Sequence, residues 1–146
     1  MMRTSDRYAQ PPQIKDKPLT SPNQSPLDVV RAFMAAMTVL DYDTALTFVA
    51  ADVEYENMPL AKVQGPAGIR AVLEPFFAPT IENEFVILRE AQAGHIVFLE
   101  RLDRHHLSTG WVELPVTGVF EVKEGKITLW RDYFDAATIM KQWPTG

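Results

Sequence analysis

From about residue 81 the chain runs as four long apolar stretches, "NEFVILREAQ", "HIVFLERLDRHH", "WVELPVTGVFEV" and "KITLWRDYFD". Only the short turns "AG", "STG" and "KEG" separate them. Long strands joined by turns this short predict an antiparallel meander, because each strand has no room to cross past its neighbour. Upstream the period changes to that of helices. "SPLDVVRAFMAAMTVLDY" offers Ser25 as N-cap, Pro26 in the first turn and Asp28 in the capping pattern. Val30, Phe33, Met34, Met37 and Leu40 then recur at three- and four-residue spacing. Asp43 is placed to cap a short second helix, "TALTFVA", and "DVEYENMPL" reads as a short strand ended by Pro59. "GPAGIRAVLEPFF" restarts a helix with Pro66 in its first turn and Ile69, Val72, Leu73 and Phe76 inside. "AATIMKQW" reads as a last short helix. Helices first and a meander after predict an α+β domain over residues 26–146, with helices closing over one face of a curved sheet.

Residues 1–25 are rich in Pro, Ser, Gln and charge without a sustained period, and are expected to form a flexible arm. A net charge of −5 argues against nucleic acid or an anionic membrane as the main partner. No apolar run approaches the roughly 20 residues of a membrane helix, and "MMRTSDRYAQ" lacks the apolar core of a secretory signal. With no cysteine, thiolate chemistry and Cys-based zinc sites are excluded. The expectation is a soluble, cytoplasmic protein.

Three strands carry polar groups on rows that should face the core. Side chains two apart on a strand share a face. Thus Val97, Leu99, Arg101, Asp103 and His105 form one row, Val53, Tyr55 and Asn57 another, and Thr128, Trp130, Asp132 and Phe134 a third. An unpaired carboxylate between Trp130 and Phe134 would cost several kcal/mol to bury. If the three rows face one cavity, Arg101 can offer different edges of its guanidinium to Asp103 and Asp132. Two carboxylates sharing one positive charge need not both be ionised, which equips the site for concerted proton transfer. A purely structural Arg–Asp pair is the alternative reading of the same spacing. The histidines at 95, 105 and 106 lack metal-ligand spacing, and adjacent His105 and His106 point to opposite faces, so no metal is expected.

On the segments "YENMPL", "ERLDR", "GVFEVKEGKITLWRDYFD" and the helix around "FMAAM", the chain resembles the limonene-1,2-epoxide hydrolase family over roughly residues 26–143. The resemblance implies a conical α+β fold of the nuclear-transport-factor type, commonly dimeric, that adds water to an epoxide in one step without a cofactor. It implies Asp132 as the base acting on water, Tyr55 and Asn57 as its holders, Asp103 as the acid and Arg101 as the bridge. It also implies walls made by Met34, Met37, Leu114, Val116, Trp130 and Phe134. The chain departs from the family pattern in a shorter "HHLSTGW" turn, and in His105, which stands where an aliphatic wall residue is expected.

By alternation His105 should border the cavity, unless the strand twists or bulges before it and leaves the ring in solvent. In the cavity a neutral imidazole would favour epoxides carrying a polar group, and protonation at lower pH would stabilise ionised Asp103 and disable it as an acid. Two other functions suit the same fold: an isomerase or cyclase of the ketosteroid-isomerase or polyketide-cyclase type, and a non-enzymatic binding module. The first commonly needs one carboxylate base and an oxyanion donor, the second neither an acid nor a base.

Overall fold

The computed structural model describes residues 24–144; the arm expected over residues 1–25 lies outside them except for its last two positions. Helix α1 (Pro26–Thr38) begins where Ser25 Oγ accepts from the Asp28 N–H at 3.1 Å. It ends without a glycine. Leu40 takes the left-handed conformation (φ 54°), and the Leu40 and Asp41 N–H groups close on the Met37 and Ala36 carbonyls.

The next helix corrects the expectation. α2 spans only Tyr42–Ala45 and is capped by Asp41, whose carboxylate accepts from the Thr44 N–H and hydroxyl. Asp43 sits inside it and pairs with Arg70 at 2.8 Å. A 3-10 turn (Leu46–Phe48) follows, and Val49 already opens strand β1 (Val49–Asn57), because it pairs with Ile127 across the sheet. A short β2 (Lys62–Gln64) leads into α3 (Gly65–Phe77). There Ile69, Leu73 and Phe77 are buried, at four-residue spacing, while Val72 and Phe76 are half-buried.

The meander then runs as β3 (Glu82–Ala93), β4 (Ile96–Leu107), β5 (Gly110–Lys123) and β6 (Lys126–Tyr133), before α4 (Ala136–Gln142). The sheet order is β2-β1-β6-β5-β4-β3, antiparallel except where β1 lies parallel to β6. It curls without closing, with the helices on its inner side, as the α+β expectation required. The main core joins Val29, Val30 and Phe33 of α1 to Leu99, Phe120 and Trp130 of the sheet. A second cluster joins Leu107, Val112, Leu114 and Val116 to Ile139 of α4. The space between them is the cavity.

Candidate active site

Alternation on β4 turns Val97, Leu99, Arg101, Asp103, His105 and Leu107 inward, all buried. Arg101 is 1% exposed and forks between two carboxylates. Its Nε and Nη2 donate to Asp103 Oδ1 and Oδ2 at 2.9 and 3.0 Å. Its Nη1 and Nη2 donate to Asp132 Oδ1 and Oδ2 at 3.2 and 3.0 Å. The Phe85 ring lies 6.0 Å from the guanidinium carbon. Asp132 answers the puzzle of a carboxylate between aromatics, since Trp130 Nε1 also donates to its Oδ1 at 2.8 Å. The parallel register sets Tyr55 beside Trp130 and Asn57 beside Asp132. The Tyr55 ring stacks on Trp130 at 4.1 Å, and its hydroxyl donates to Asn57 Oδ1 at 3.0 Å.

With both carboxylates ionised the trio carries one net negative charge; one shared proton makes it neutral. Burial pushes the Asp132 proton affinity above the usual carboxylate range, and the charge and hydrogen bonds of Arg101 offset only part of that rise. For Arg101, burial opposes the charge, but Asp103 and Asp132 outweigh it, so the guanidinium stays charged. Burial, then the Asp132 charge, pushes the Tyr55 phenol up, so it remains a neutral donor.

All twelve residues singled out from the sequence line one cavity of about 160 Å³: Met34, Met37, Tyr55, Asn57, Arg101, Asp103, His105, Leu114, Val116, Trp130, Asp132 and Phe134. A single water needs only roughly 10–15 Å³ on a comparable measure, so the space suits an organic molecule. His105 lies on the cavity side of its strand, not in solvent. Burial, then the Arg101 charge, lowers its pKa to about 4, so it is neutral near neutral pH and charged only under acid conditions. Among the described residues no three His, Cys, Asp or Glu side chains group as metal ligands.

The remaining walls, Leu60, Val72, Leu73, Phe76, Phe77, Phe85 and Ile139, were not anticipated as lining. Neither was Gly118. It lies on β5 opposite Asp132, and a Cβ there would sit 2.6 Å from Arg101 Nη1 and 2.8 Å from Asp132 Oδ1. The signal was present, since a lone Gly inside a strand often marks the close approach of another group.

The limonene-1,2-epoxide hydrolase catalytic domain family matches residues 24–145. Epoxide hydrolase EphG of Mycobacterium tuberculosis is 35% identical over 112 residues, covering 77% of this chain and 74% of the relative. A solved M. tuberculosis LEH-like epoxide hydrolase superposes with a TM-score of 0.70 at 34% identity, over 80% of this chain and 86% of that one. A SnoaL-like polyketide cyclase described as putative, from Shewanella putrefaciens, reaches 0.74 at 21% identity, over 82% and 96%, which speaks to the fold alone.

Proposed function

The chain belongs to the limonene-1,2-epoxide hydrolase family and is an epoxide hydrolase, and from that premise we propose that it converts a small or cyclic, largely apolar epoxide to a vicinal diol in one general acid/general base step, without a cofactor. The observation that carries the reading is Arg101 forked between two buried carboxylates at the wall of an apolar cavity. Tyr55 and Asn57 hold a water beside Asp132. Asp132 takes one of its protons as the water oxygen attacks an oxirane carbon. The C–O bond breaks, and the oxirane oxygen takes the proton of Asp103, so no free alkoxide is expelled. Asp132 ends protonated and Asp103 ionised; exchange with water resets the pair. Asp132 acts from its ionised form, and its raised proton affinity makes that form a better base than an ordinary carboxylate. An isomerase or cyclase of the ketosteroid-isomerase or polyketide-cyclase type, needing one carboxylate, would leave the shared guanidinium without a use.

Diol formation from a panel of cyclic and acyclic epoxides tests the reaction; no diol from any of them would overturn it. A single turnover in ¹⁸O water should label the diol and leave the protein unlabelled. Label recovered from Asp103 or Asp132 would mean an ester intermediate.

Gly118→Ala should lower turnover by roughly 10²-fold, because the methyl pushes Arg101 and Asp132 apart. The same overpacking should cost about 1–3 kcal/mol of stability. Kinetics alongside thermal melting checks both.

We propose a cytoplasmic homodimer as well. The outward face of the sheet exposes Phe98, Trp111 and Tyr133 among charged side chains, a mixed surface on which a second copy could pack. Light scattering should return twice the chain mass. Among the described residues no helix is long and apolar enough to cross a membrane.

A further inference from the structure

His105 has no part in the proposed proton transfers, yet it is 2% exposed in the cavity wall, one pleat beyond Asp103 and roughly 7 Å further along the strand. A chain of hydrogen bonds sets its tautomer. The Phe77 carbonyl can only accept, so the Thr80 hydroxyl donates to it, at 2.7 Å. Thr80 Oγ1 therefore accepts from the Asn83 amide nitrogen at 3.0 Å. That orients Asn83 Oδ1 toward His105 Nδ1, 2.7 Å away. An amide oxygen only accepts, so Nδ1 carries the proton and Nε2 keeps a lone pair.

Among the described residues Nε2 has no hydrogen-bond partner, and no enclosed side-chain nitrogen or oxygen lacks one. Nε2 is therefore open to the cavity. Around it stand the rings of Phe76, Phe77, Phe85 and Trp143, with centroids 5.2 to 6.3 Å from the imidazole. Of these, Phe76, Phe77 and Phe85 line the cavity and offer it apolar surface around Nε2. With its pKa lowered to about 4 the ring is a neutral acceptor, not a cation.

We propose that His105 selects epoxides carrying a hydroxyl, or another neutral hydrogen-bond donor, at the end of the cavity away from the paired carboxylates. The proposal rests on epoxide hydrolysis as the reaction. An ether or ketone at that point would set lone pair against lone pair, and a hydrocarbon would leave Nε2 desolvated and unpaired.

The test uses cyclohexene oxide bearing hydroxymethyl, methoxymethyl or ethyl on the carbon across the ring from the oxirane. Wild type should favour hydroxymethyl over methoxymethyl by roughly 10- to 100-fold in kcat/KM. His105→Leu should erase that preference and improve the ethyl compound. Equal rates in wild type, or a preference that survives His105→Leu, would overturn the proposal. Imidazole ¹⁵N spectra read the same point without turnover, and with three histidines they are assignable by difference. They should show the Nδ1–H tautomer and an Nε2 resonance moved by the hydroxymethyl diol but not by the ethyl diol. An Nε2–H tautomer, or an Nε2 resonance unmoved by the hydroxymethyl diol, would overturn it. If none of the three epoxides is hydrolysed and the wider panel also yields no diol, the reaction assigned above fails, while the spectra still decide the role of His105.

Discussion

Asp132→Asn is expected to lower turnover by roughly 10²–10⁴-fold, the worth of one positioned proton transfer, while the chain still folds. The amide keeps the shape of the carboxylate but cannot take a proton from water. Its effect on stability should depend on pH, and the direction follows from burial. The folded-state pKa of Asp132 lies above its unfolded value. The stability linked to the protonated side chain is therefore fully present below the unfolded pKa and is lost as pH rises through the folded one. Asn carries no such penalty. Melting temperatures of the variant should gain on wild type as pH rises from below the usual carboxylate range, then level off. Wild-type kcat/KM should fall as pH drops through the same raised value, because the base must be ionised. His105, lowered to about 4, titrates at the acid edge of that window and is neutral above it. A variant that retains most of its turnover would remove Asp132 as the base.

Arg101→Lys should be nearly as damaging, with turnover down by at least roughly 10²-fold. The guanidinium makes four hydrogen bonds of 2.9 to 3.2 Å to two carboxylates approaching from different sides. An ammonium is a point donor on a flexible stem and cannot hold both at fixed separation. The carboxylates would drift apart, separating acid from base. Arg101→Met goes further and leaves two carboxylates buried without their cation, a change expected to cost roughly 3–5 kcal/mol. Circular dichroism melts with diol assays separate the outcomes: the Lys variant should fold and fail chemically, the Met variant should also lose stability. A folded Lys variant with most of its activity would overturn the bridging role.

Much of this site was legible because strand alternation is a local property. Once "VFLERLDRHH" and "KITLWRDYFD" read as strands, Arg101, Asp103, His105 and Asp132 had to share faces with Leu99 and Trp130, and they are buried there. Capping by Ser25 was local in the same sense. The Asp41 cap was missed because two Asp residues stand within one turn of each other, and Arg70, 27 positions away, claims the second.

The helices-then-meander order and the inward polar rows were readable from the chain alone, as was, by family resemblance, the chemistry to expect of them. How the rows meet follows from folding in three dimensions. Asn57 stands beside Asp132 because β1 enters parallel to β6, a pairing across 75 residues that no local pattern encodes. Gly118 must be Gly because Arg101 and Asp132 arrive from neighbouring strands at that point on β5. The tautomer of His105 depends on Asn83 and Thr80, which the β3–β4 register and the end of α3 bring to it. Alternation says which face a side chain takes; strand order and register, set by burying several rows at once, say what it meets there.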